Sequence, residues 1–122
     1  MERYSLEDKM RIIQEIVPGK QITLAHIIAN PDKVLYQKLG LDPKIDYSKS
    51  AIGIVTMSPA ETAIIAGDIS LKAAGIEIGF IDRFSGTLVV TGTLSDVDAA
   101  LKALTDYCKK VLNFTICNIT RT

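Results

Sequence analysis

One histidine and two cysteines are the only imidazole and thiol side chains in this chain of 122 residues. His26 stands alone in an apolar, β-rich run, and neither Cys108 nor Cys117 lies near it at ligand spacing, so no metal site is expected. The expected role of His26 is structural, as a hydrogen-bonding histidine. Both cysteines fall in strongly apolar segments and read as reduced, buried small hydrophobes, not as a disulfide framework. Net charge is missing as well. Lys and Arg total 14 and Asp and Glu total 14, so the formal charge is zero. A neutral chain has no general pull on nucleic acid or anionic lipid, and neither nucleic acid nor a membrane is an expected partner. It also offers little repulsion between copies, which suits self-assembly. No apolar run approaches the ~20 residues needed to cross a bilayer. The charged start, Met1 to Asp8, is not followed by an apolar h-region, so no signal peptide and a cytosolic location are expected. No Walker-type Gly-Lys-Ser/Thr occurs, no serine sits in a nucleophile elbow, and Gly67, Gly75 and Gly79 are too widely spaced for a nucleotide loop. No catalytic residue, no cofactor and no enzymatic activity are expected.

What is present is a globular mix, 48% hydrophobic and 23% charged. Residues 1–10 read as a polar, flexible lead-in, and 11–122 as one domain. A β-rich run over 12–17 ends at the turn signal Pro18-Gly19, and a second runs from Gln21 to Ala29. Asn30, Pro31 and Asp32 then predict a short helix over 31–39, stopped by Gly40. Residues 40–50 form a polar connector. From Ala51 the pattern sharpens. Residues 51–57 predict a strand, and Ser58-Pro59-Ala60-Glu61 reads as a capping box opening a helix that ends at the C′ glycine Gly75. Residues 76–83 predict a strand with Ile76, Ile78 and Phe80 on one face, then a tight turn at 84–86 and a partner strand over 87–94. Ser95 to Asp98 predict the cap of a second helix, with an apolar stripe of Val97, Leu101, Leu104, Cys108 and Val111. A last strand is predicted over 113–120. The order from 51 to 120 is β-α-β-β-α-β, which predicts an α+β fold of the ferredoxin-like, split βαβ type, with two helices on one face of a four-stranded antiparallel sheet and no second core.

The helix over 59–74 carries more apolar surface than one sheet can cover. Its small-residue stripe, Ala60, Ala63, Ile64, Gly67, Leu71 and Ala74, is expected to lie on the sheet, with Gly67 allowing close approach. Ile65 and Ile69 stand on the other flank and are expected to pack on a neighbouring subunit. The 12–17 run would be an unpaired edge in a lone copy, another invitation to assembly. A soluble ferredoxin-like small-molecule-binding or regulatory module is the alternative that these features leave open.

The runs from Arg11 to His26 and from Ala51 to Met57, with Pro59 to Lys72 and Gly79 to Gly86, resemble bacterial microcompartment shell proteins of the circularly permuted hexamer type. That group is found in ethanolamine-, propanediol- and choline-utilisation organelles. The resemblance covers about 10–120. It implies a circularly permuted shell (BMC) domain: the 51–120 core comes last, preceded by a permuted strand, short helix and connector over 21–50. It implies a homohexamer that tiles edge to edge into the shell of an organelle in the cytoplasm, with other shell proteins and encapsulated enzymes as partners. Asp82, Arg83, Phe84, Ser85 and Gly86 match the loop around the six-fold axis, and Lys72 matches the edge lysine that packs on the adjacent hexamer. Ile12, Ile13, Gln14, Glu15 and Ile16 lie in the segment that builds a small axial barrel, with its turn reaching residue 20. Closure of that barrel removes free edges and obstructs the central opening.

Overall fold

A computed structural model describes residues 19–122. The residues expected to build an axial barrel, Ile12, Ile13, Gln14, Glu15 and Ile16, lie outside the described residues. The elements are β1 (Gln21–Ile28), α1 (Lys33–Lys38), β2 (Ala51–Ser58), α2 (Thr62–Ala73), β3 (Glu77–Asp82), β4 (Thr87–Gly92), α3 (Leu94–Lys110) and β5 (Thr120–Arg121). They form a five-stranded sheet in the order β3-β4-β2-β1-β5.

β1 runs antiparallel to β2, from Gln21 opposite Ser58 to Ile28 opposite Ile52. This corrects the expected sheet. The segment over 113–120 does not form the fourth strand of an antiparallel core. The eight-residue β1 holds the place beside β2. The final segment touches β1 only at a Gln21–Thr115 bridge and at the short parallel strand β5. Its apolar residues face the core without alternating: Phe114 is buried, and Ile116, Cys117 and Ile119 are all partly buried against the same cluster.

α2 and α3 cover one face of the sheet. Val97, Ala100, Leu101, Leu104 and Cys108 of α3 are fully buried there with Val55, Leu88 and Val90. Val111 is exposed, because the helix ends at Lys110 before the stripe completes another turn. Gly53 of β2 lies directly beneath α3; a Cβ at that position would meet side-chain atoms of Leu101, Val90 and Val97, each at 2.9 Å. A second, smaller cluster does form, against expectation. α1 and the connector fold behind the sheet, where Tyr36 and Leu41 pack with Ile52 and Val89. The Tyr36 hydroxyl donates to the Ser50 carbonyl at 3.0 Å, and the Tyr36 and Tyr47 rings stack at 4.3 Å. Strand β2 can serve both faces because its residues alternate sides: Ile52 and Ile54 behind, Val55 and Met57 in front.

The helix caps differ from those read in the sequence. Asp32 is the N-cap of α1, its carboxylate accepting from Val34 N at 3.0 Å, so Pro31 precedes the helix. Ser58 stays in the β2 ladder, and α2 begins at Thr62 without a side-chain cap; Thr62 N donates to Pro59 O at 3.0 Å instead. α2 ends at an extended Ala74, and Gly75 is not a left-handed cap. Thr93, not Ser95, caps α3, its hydroxyl accepting from Asp96 N at 3.1 Å. In β3 the register slips between Ile78 and Phe80, opposite β4. That bulge shifts the strand's phase. Ile76 and Ile78 stay with the front core, while Phe80 joins the cluster behind the sheet.

Candidate assembly surfaces

The loop after β3 is built from its own side chains and backbone. The Asp82 carboxylate accepts from Phe84 N at 2.9 Å and Ser85 N at 3.3 Å. Those bonds, the Phe84 N–H first and Ser85 next, hold the Asp82 carboxyl below the usual carboxylate range. Gly86 N donates to Asp82 O, and Gly86 O accepts from Met57 N, both at 2.9 Å, so the loop is tied to β2 as well as to its own stem. Gly86 takes φ +78°, and a Cβ there would run into the Met57 carbonyl, so the position requires glycine. The Ser85 hydroxyl donates to Thr87 Oγ1 at 2.9 Å. With Asp82 occupied inside the loop, Arg83 and Phe84 are what it presents outward. The Arg83 guanidinium lies 5.1 Å from the Phe84 ring centroid, within cation–π range, and Phe84 is 82% exposed.

α2 turns its smallest residues inward. Ala63, Ala66, Gly67 and Ser70 are buried, an i, i+3, i+4, i+7 series. The larger residues are displaced to the two sides. Ile64 (50% exposed) and Leu71 (52%) were expected on the sheet and face outward instead. The cause is close packing: Ile81 reaches to 2.9 Å from where a Cβ on Gly67 would stand, which leaves no depth for a large side chain.

Two shallow depressions result. One is lined by Ile64 and Ile81 together with Asp82, Arg83 and Phe84, so one flank of α2 runs directly into the loop. The other is lined by Ile65, Asp68, Ile69, Lys72, Ala73 and Tyr107. It brings together three residues singled out in the sequence, Ile65, Ile69 and Lys72. Lys72 pairs with Asp68 one turn earlier, Nζ to Oδ2 at 2.8 Å, which pushes the amine above its ordinary value. Tyr107, 43% exposed, was missed because it lies on α3 outside the apolar stripe. An aromatic residue beside a complete stripe is the signal that points to it.

The other residues singled out have structural roles. His26 bonds through both ring nitrogens to hydroxyls of the C-terminal segment, Thr120 and Thr122. Cys108 is buried and its thiol is pushed up by that burial; Cys117 is half-buried. Among the described residues, no three His, Cys, Asp or Glu side chains are grouped to hold a metal ion, and no helix is long and apolar enough to cross a membrane.

The BMC domain family matches residues 51–120. The chain belongs to the bacterial microcompartment shell proteins. It is 53% identical over 122 residues to the bacterial microcompartment shell protein PduU of Salmonella typhimurium, covering the whole of both chains. It is 51% identical over 114 residues to the shell protein EutS of Escherichia coli K12, covering 93% of this chain and 98% of that one. Among solved structures it is similar to a CutR flat hexamer, with a TM-score of 0.79 and 46% identity over 92% of this chain and 99% of the other. The family is one of structural shell proteins, not enzymes.

Proposed function

We propose that this shell protein forms a cyclic homohexamer that tiles edge to edge in the shell of a cytoplasmic bacterial microcompartment. The observation that carries the reading is α2: a helix that leaves Ile64, Ile65 and Leu71 about half exposed on two opposite flanks has more apolar surface than its own sheet can take. In the hexamer the flank of Ile64 and Ile81 meets the next subunit of the ring. That flank is continuous with Asp82, Arg83 and Phe84, and with Ser85 and Gly86 these residues encircle the six-fold axis. The groove of Ile65, Ile69, Tyr107 and Lys72 lies on the other flank, where Ile65 and Ile69 pack on a neighbouring subunit and Lys72 meets the adjacent hexamer.

The domain is circularly permuted in this reading. Support comes from β1 and α1, which precede the 51–120 core in sequence yet fill the place beside β2 and the back of the sheet. Residues 11–17 of six copies, Ile12 to Ile16 among them, build a barrel over the axis and make the ring a poor metabolite channel. The register supports this placement. Gln21 stands opposite Ser58, and Met57 N bonds to Gly86 O, so the chain enters the sheet at the same end as the loop. Other shell proteins and encapsulated enzymes are the partners of such a tile.

Native mass spectrometry tests the ring, and electron microscopy at high concentration tests the tiling. Six copies and extended sheets are expected, with Lys72→Ala losing the sheets and keeping the ring. A stable monomer at micromolar concentration overturns the ring; unaffected tiling by the variant overturns the assignment of Lys72.

A further inference from the structure

The C-terminal segment leaves α3 through Asn113, at φ 61°, and touches the outer edge of β1 twice. At the first touch Ile22 N donates to Thr115 O at 2.8 Å and Thr115 N donates to Lys20 O at 3.0 Å. At the second, Thr122 N donates to Ile27 O at 2.9 Å and Ala29 N donates to Thr122 O at 2.8 Å. Between them the segment stands away from the ladder, opposite the irregularity between Ile22 and Leu24 of β1. A parallel strand of two residues is too short to hold its place by backbone bonding alone. His26 spans this second touch. Its Nδ1 lies 2.6 Å from Thr120 Oγ1 and its Nε2 lies 2.9 Å from Thr122 Oγ1.

Thr120 Oγ1 also reaches the Ala25 carbonyl at 3.4 Å, so the same hydroxyl touches both the side chain and the backbone of β1.

We propose that His26 is a positioning residue, a clasp that fastens the C-terminal strand over the outer edge of β1. An open edge of that length offers unpaired donors and acceptors to any extended chain. In a protein whose α2 flanks already carry self-association, closing this edge removes a competing way for copies to stick together. The inference rests on the β1–β5 geometry alone and stands or falls apart from the ring.

Hydrogen exchange of two variants against the wild-type protein tests it. In His26→Ala and in the near-isosteric Thr122→Val, exchange at the Ala29 and residue-122 amides should quicken about tenfold, the scale of a lost hydrogen bond. Amides of β2 and β4 should keep their protection. If Thr122→Val leaves the two reporter amides unchanged, or if protection falls equally across the sheet, the proposal fails.

Discussion

α2 and α3 lie side by side on one sheet and finish their surfaces in opposite ways. α3 buries Val97, Leu101, Leu104 and Cys108 completely and turns outward a face laced by the pairs Asp98–Lys102 and Asp106–Lys110, each one turn apart. Such exposed pairs contribute little to stability, and their presence marks a face that meets water. α2 has one such pair, Asp68–Lys72, set among Ile65, Ile69 and Tyr107. Its inner face is made of Ala, Gly and Ser. The lesson is that a helix with a thin inner stripe sits deep and pushes its large residues sideways, where only another molecule covers them. α3 is organised for folding, and α2 carries the surface proposed for assembly.

The sharpest way to break that comparison is a methyl group under each helix. Gly53→Ala drives a carbon into Leu101, Val90 and Val97 at once, and we expect it to lower stability by about 1–3 kcal/mol in urea unfolding. Gly67→Ala meets only the tip of Ile81, a movable methyl, and gains up to about 1 kcal/mol of helix propensity, so its unfolding midpoint should hold or rise. Equal losses would mean that α2 and α3 are seated alike. Next in size is Ile64→Ser. It should leave the circular dichroism spectrum unchanged while raising the dissociation concentration of the assembly in sedimentation by about tenfold or more, the equivalent of burying one isoleucine. An unchanged dissociation concentration would remove the flank from the interface. The smallest effect is local. Because backbone N–H groups depress Asp82, its contribution is full at pH above the ordinary carboxylate range and is lost as pH falls through the lowered value. Acid should therefore release the Phe84 and Ser85 amides to exchange before those of α3; simultaneous release would show that the carboxylate does not hold the loop.

Much of the fold is legible in the residues. The spacing of Val97, Leu101, Leu104 and Cys108 determines which side of α3 is buried, and the tight turn at 84–86 falls where Gly86 requires it. What is not legible is competition between segments for one place. The 21–29 and 113–120 runs both look like strands, and only the longer, antiparallel pairing with β2 decides that β1 lies inside and the other segment at the edge. The orientation of α2 is hidden for a related reason: hydrophobicity alone places Ile64 and Leu71 on the sheet, whereas depth of packing favours Ala63, Ala66 and Gly67. Of the proposed assembly surface, Lys72 and the 82–86 loop come from family likeness. The meeting of Ile65, Ile69 and Tyr107 in one groove appears only once α3 is laid beside α2.

The bulge in β3 has a mechanical consequence. Ile78 and Ile81 reach toward Gly67 under α2, while Phe80 packs behind the sheet, where Leu41 of the connector stands against Gly79. The stem of the 82–86 loop is thus gripped from front and back, and the connector bears on it through Leu41. If that loop lies on the six-fold axis as proposed, a replacement at Leu41 would reach Arg83 and Phe84 from some forty residues upstream without altering either.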